Sequence, residues 1–157
     1  MTKSRAAFTS HSPDETAQLA RRVGAQLGAG DTLLLEGGIG AGKSHFARAL
    51  ILSRLAEAED VPSPTFTLVQ TYDLPDCELW HADLYRLGDP DQIVELGLLD
   101  AFQAAICLIE WPDRLAELTP ETALTVRFDD MLQNDTRQIE FTWTAPHWTS
   151  CVKEALA

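Results

Sequence analysis

The chain has 157 residues, 45% of them hydrophobic and 23% charged, which is enough for one domain with a real core and too short to count on two. No apolar run approaches the ~20 residues a membrane helix needs, and MTKSRAAFTS at the N-terminus lacks an apolar signal stretch, so a cytoplasmic protein without membrane attachment is expected. Twelve Lys and Arg against 24 Asp and Glu give a net charge of −12, which opposes broad contact with a nucleic-acid backbone; any service to RNA is expected to run through a protein partner.

Residues Ala6 to Ser10 read as a short first strand. Ser12, Pro13, Asp14 and Glu15 then supply a helix start, with a capping hydroxyl, proline at the first helical position and acids in the first turn. Thr16, Leu19, Ala20, Val23 and Leu27 recur at helical spacing as a core-facing stripe, and Gly28 and Gly30 end the helix.

The next stretch, TLLLEGGIGAGKSHFARAL from Thr32 to Leu50, runs strand, glycine-rich turn and helix start in succession. Gly37, Gly42, Lys43 and Ser44 satisfy GxxxxGK(S/T). Glycines let the backbone turn so that successive N–H groups face an anion, and the helix beginning near Lys43 adds its positive dipole end. The loop Gly38, Ile39, Gly40, Ala41, Gly42, Lys43 and Ser44 is therefore the expected phosphate cradle, with Lys43 on the outer phosphates and the Ser44 hydroxyl on magnesium. A glycine-rich turn without ligand is the competing reading. A Rossmann fingerprint is not met, because Gly38, Gly40 and Gly42 do not have GxGxxG spacing.

The helix continues from His45 to Glu57 with Phe46, Leu50 and Leu55 inward. Pro62 and Pro64 forbid helix, and Thr65 to Tyr72 is rich in β-branched and aromatic residues, so an extended loop feeds a strand. Ser63 and Thr65 on this loop are candidates to sense a terminal phosphate and its metal; a plain proline-rich entry to a strand is the alternative. Asp73, Pro75 and Asp76 make a turn, and Glu78 to Leu84 returns as the second strand of a hairpin. Alternation puts Leu79, His81 and Asp83 on one face and Trp80, Ala82 and Leu84 on the other. Asp83 at the strand end is a candidate for magnesium or for the attacking water, against a solvated strand end or an ion pair with Arg86.

DQIVELGLLDAF is expected to be one helix with Ile93, Leu96 and Leu99 inward. AICLIEW, Ala105 to Trp111, describes a strand at the centre of a sheet with Glu110 emerging at its carboxyl end, where ligands collect in open α/β sheets. It is like a Walker B strand, with glutamate where aspartate is usual. Cys77, Cys107 and Cys151 are odd in number and widely spaced, which fits neither a disulfide framework nor a zinc site, and Cys107 reads as a buried thiol. Leu124 to Phe128 and Ile139 to Trp143 alternate around a turn-rich DDMLQNDTR and form a second antiparallel hairpin. Arg137 at its start is either a nucleotide contact or an exposed arginine. The tail from Ala145 to Ala157 ends in a short helix, with roughly the first five and last ten residues of the chain left outside the ordered domain.

In combination, the phosphate loop, SPTFTLV, HADLYRL (HxDLYR at 81 to 86) and LIEWPDR resemble the TsaE (YjeE) family of ATPases, which act in making threonylcarbamoyladenosine on bacterial transfer RNAs. The match runs from about Ser12 to Arg137; serine and His45 follow the lysine where the family commonly has two threonines. The resemblance implies a single-domain α/β fold of the P-loop NTPase type, three layers with a mixed central sheet including antiparallel hairpins. It also implies ATP and Mg2+, slow hydrolysis and a partner complex of TsaB and TsaD, with tRNA met only indirectly. By position, Lys43 and Ser44 hold phosphate and magnesium, Thr65 belongs to a switch-like segment, and Asp83 assists metal or water. Glu110 is the Walker B acid on the metal, and Trp111 lies beside the site.

Phosphoryl transfer needs metal, charge neutralisation and an oriented nucleophile. Lys43 and Ser44 with magnesium meet the first two needs, and Asp83 and Glu110 are the candidates to orient water, with no evident arginine finger. Weak hydrolysis alone and stimulation by partners are therefore expected. A small-molecule kinase and a nucleotide-gated binding module share the loop and stand as the other readings.

Overall fold

The computed structural model describes residues 3–57, 59–64, 67–89, 91–130 and 136–157. A seven-stranded mixed sheet runs in the order β1-β7-β6-β2-β5-β4-β3. Its strands are β1 Ser4–Ser10, β2 Thr32–Glu36, β3 Val69–Asp73, β4 Glu78–Asp83, β5 Ile106–Glu110, β6 Leu124–Asp130 and β7 Arg137–Trp143. The central four, β6, β2, β5 and β4, pair in parallel, while the β3 and β4 hairpin and the β6, β7 and β1 meander add antiparallel edges.

Alternation on the buried strands divides the core in two. Leu33 and Leu35 of β2 and Ile106 and Leu108 of β5 face α1 (Pro13–Gly24), α2 (Lys43–Arg54) and α5 (His147–Leu156), whereas Leu34, Cys107 and Ile109 face α3 (Asp91–Glu95) and α4 (Leu98–Ala104). Three layers result. On β4, Leu79 belongs to the first core and Trp80 and Ala82 to the second, and Leu84 just past the strand end continues the second, as the alternation requires. Cys107 is fully buried, and its thiol is pushed up to about 12 by that burial.

The first helix begins as its residues dictate. Ser12 Oγ accepts from the Glu15 N–H at 3.1 Å, and Glu15 reaches back to the His11 N–H at 3.2 Å. Thr16, Leu19, Ala20, Val23 and Leu27 are all buried. At the other end Arg54 of α2 donates to the carbonyls of Gly24 and Leu27, each at 2.7 Å, so the two helices are tied at their carboxyl ends.

Three expectations are corrected. The single helix over DQIVELGLLDAF is two, because Gly97 adopts φ +86 as the N-cap of α4 and turns the second helix onto a new axis. Leu98, fully buried, takes the inward place expected of Leu99, which is 37% exposed. The second helix stops at Arg54 instead of Glu57, since Leu55 is already extended. β1 starts at Ser4 and pairs with β7, and α5 buries Trp148, Cys151, Val152 and Ala155 against the first core.

Trp148 is 1% exposed and its Nε1–H donates to the Thr122 carbonyl at 2.7 Å, so its body is packed and its polar tip satisfied. Trp148→Ala should lower stability by about 3–5 kcal/mol in denaturant unfolding; an unchanged midpoint would show that α5 adds nothing to the core.

Candidate functional site

The site lies at the carboxyl ends of β2, β5 and β4, where the loop 37–42 leaves β2 and enters α2. Gly37, Gly40 and Gly42 all have positive φ, at +143, +79 and +108, which gives the chain the tight turn that faces N–H groups inward. Gly37 also has no room for a side chain: a Cβ there would sit 2.6 Å from the carbonyl oxygen of Phe128 on β6. Phe128 in turn packs edge-on against Phe46 of α2, with ring centroids 5.3 Å apart, so the loop rests on a rigid floor.

Lys43 is 5% exposed and curls back over the loop, its Nζ donating to the Gly37 carbonyl at 2.6 Å and lying 3.5 Å from the Trp111 ring centroid. Burial holds its ammonium below the ordinary 10.5, against the opposing pull of Glu110, Asp83 and Asp113. Trp111 reaches this place with φ 58 and ψ 55, a left-handed conformation that is strained for a side chain of its size. Its other neighbour is Tyr85, 4.9 Å away between centroids.

Ser44 at the helix start donates its hydroxyl to Glu110 Oε1 at 2.9 Å. Glu110 Oε2 accepts from His81 Nε2 at 2.6 Å, since a carboxylate can only accept. Asp83 lies opposite Glu110 in the β4 and β5 register, and its Oδ1 accepts from the Tyr85 N–H at 3.0 Å. A cavity of about 490 Å3 opens above these groups, lined among others by Ile39, Gly40, Gly42, Lys43, Ser44, Asp83, Arg86, Glu110 and Trp111. Backbone donors, an ammonium, a hydroxyl and two carboxylates around one mouth can hold a polyphosphate and a hard cation together.

The structure thus brings Lys43, Ser44, Asp83, Glu110 and Trp111 to the loop 38–42. Arg137 is there too, but it turns to the loop itself: Nε donates to the Ala41 carbonyl at 3.2 Å and one guanidinium N–H to that of Gly40 at 3.5 Å. It also borders a second cavity, of about 240 Å3, with Pro13, Thr16 and His45. Thr65 lies outside the described residues. Sequence reasoning gave no role to Tyr85, to Arg86 beyond an ion-pair partner, or to His45, whose Nε2 is 2.9 Å from the Pro13 carbonyl and ties α2 to the start of α1. Tyr85 and Arg86 follow Asp83 directly, so the strand-end signal that marked Asp83 also pointed to them.

The family model described as "Threonylcarbamoyl adenosine biosynthesis protein TsaE" matches residues 10–139. The tRNA threonylcarbamoyladenosine biosynthesis protein TsaE of Rickettsia bellii is 37% identical over 132 residues, 84% of this chain and 91% of that protein. Its counterpart of the same description in Bacillus subtilis is 35% identical over 131 residues, 83% of this chain and 80% of the relative. The crystal structure of Bacillus subtilis YdiB has the same fold, with a TM-score of 0.80 at 26% identity over 99% of this chain and 96% of that one.

The floor under the loop makes a paired test. Gly37→Ala drives a methyl group into the Phe128 carbonyl and should cost about 1–3 kcal/mol in unfolding free energy. Gly38→Ala meets nothing within 4 Å and should stay within about 0.5 kcal/mol of the parent; equal effects of the two would contradict the packing described.

Proposed function

The chain belongs to the TsaE family of threonylcarbamoyl adenosine biosynthesis proteins, and on that premise we propose that it binds ATP with magnesium at the loop 37–44 and hydrolyses it. The observation that carries this reading is the convergence of Lys43, Ser44, Asp83 and Glu110 on one cavity at the mouth of the glycine loop. Magnesium fits the donor set. Ser44, Asp83 and Glu110 offer hard oxygens, and among the described residues no group of three or more His, Cys, Asp or Glu is placed to hold a metal alone. That suits an ion that arrives with phosphate and keeps several waters.

Each residue has a role under this reading. The N–H groups of 38–44 and the start of α2 receive the phosphates, and Lys43 leaves the Gly37 carbonyl's neighbourhood or shares it with the outer phosphates. Ser44 presents its oxygen to the metal, which supplies charge neutralisation when bound, and Glu110 fixes the direction of that hydroxyl. Orienting the water that attacks the terminal phosphorus, with ADP leaving, falls to Asp83. Arg137 holds the carbonyl side of the loop and is assigned to contact the nucleotide, and Trp111 shields Lys43 from water. Thr65 is assigned to sensing the terminal phosphate.

The role of the family is in threonylcarbamoyladenosine biosynthesis on tRNA. We assign to this chain the support of a TsaB and TsaD complex, with tRNA met through those partners. The net charge of −12 favours a protein partner over direct grip on a phosphate backbone. Among the described residues no helix is long and apolar enough to cross a membrane, and a cytoplasmic place is part of the same proposal.

Phosphate release from ATP tests the reading. It should be slow for the protein alone and faster with TsaB and TsaD, and Asp83→Asn should lower kcat by about 100-fold or more. Lys43→Ala should abolish nucleotide binding. A phosphorylated acceptor in place of free phosphate would favour a kinase instead. Support of the partners by a hydrolysis-dead Glu110→Ala protein would favour a nucleotide-gated binding module.

A further inference from the structure

His81 is buried beside the loop, yet the roles above leave it without one. Its side chain and that of Glu110 are each 2% exposed, and Nε2 stands 2.6 Å from Glu110 Oε2. The other ring nitrogen, Nδ1, is buried and has no hydrogen-bond partner among the described residues. Leaving a buried polar atom without a partner is destabilising, because its hydration is lost and nothing replaces it. A leucine, like Leu79 on the same face of β4, would fill this space without that penalty. The imidazole is therefore poorly explained by packing and well explained by the one bond it makes.

That bond acts on a side chain with three rotatable torsions. Ser44 anchors only Oε1 of Glu110, and a carboxylate held at one oxygen can still swing about the Cγ–Cδ bond. A second donor at Oε2 fixes the plane of the group. We infer that His81 is a positioning residue of this site: by holding Oε2 of Glu110 it keeps Oε1 on the Ser44 hydroxyl, so that the lone pairs of Ser44 stay turned toward the phosphate cavity. The chain of contacts runs from His81 through Glu110 to Ser44 and ends on the hydroxyl that is to face the metal. The same logic governs outer partners of metal sites generally, where a fixed ligand orientation is what the outer hydrogen bond supplies.

This inference rests on the reading of the loop as a magnesium and nucleotide site. The test is ADP affinity by calorimetry, with magnesium and with EDTA, for wild type, His81→Gln and His81→Asn. Gln places an amide N–H near the position of Nε2, whereas Asn places it near Nδ1 and cannot reach Oε2. The account predicts that His81→Asn loses about tenfold or more of the magnesium-dependent gain in affinity, that His81→Gln keeps most of it, and that affinities in EDTA agree within about twofold. His81→Leu, which keeps volume and drops the donor, makes the same comparison if the asparagine variant does not fold. Equal gains in wild type and His81→Asn, a parallel loss in EDTA, or a glutamine variant no better than asparagine would overturn it. Failure of the wild type to bind ADP would instead overturn the nucleotide reading itself, so the two failures are told apart by the wild-type arm.

Discussion

The parallel pairing of β2 with β5 is the constraint on which the rest depends. Thr32 lies against Cys107 and Leu35 against Glu110, so the glycine loop that follows β2 and the acid that ends β5 emerge at the same edge. Side chains alternate with a period of two, and a slip of one residue would send Glu110 to the α4 face and Ile109 to the loop. The register is protected by the core it divides, since Leu33, Leu35, Ile106 and Leu108 serve one layer and Leu34, Cys107 and Ile109 the other. β4 adds His81 and Asp83 on the same face by the same rule.

Around that edge the protein departs from what stability alone favours. Lys43 is buried with its ammonium disfavoured, Trp111 holds a left-handed backbone, and one ring nitrogen of His81 has no partner among the described residues. Each of these residues lies at the loop or touches a side chain that does. They are held in place by ordinary packing: Phe128 and Phe46 beneath the loop, Arg137 on its carbonyls, and Tyr85 against Trp111. Strain and buried polar groups gathered beside one loop are what a site, rather than a mere turn, is expected to show.

Much of this was legible in the sequence because the signals are local. The cap at Ser12, the alternation of β4 and β5 and the glycine spacing each describe a few neighbouring residues, and the structure has them as read. What escaped were relations across the fold or small changes in backbone. The one helix expected over DQIVELGLLDAF is divided by the left-handed φ of Gly97. The bonds from His81 to Glu110 and from Arg137 to Ala41 span 29 and 96 residues, and no spacing rule reaches that far. The position of Leu98 in place of Leu99 follows from the break at Gly97 and could not be seen without it.

As a TsaE family member, the chain joins a phosphate loop to acids on two other strands, and the central claim is that these form one nucleotide site. A crystal structure with magnesium and a non-hydrolysable ATP analogue tests it most directly. The account predicts the β- and γ-phosphates in the cradle of 38–44, the metal on the Ser44 hydroxyl, and Glu110 still bonded to both Ser44 and His81. An analogue bound elsewhere, or a metal held apart from Ser44, would contradict it.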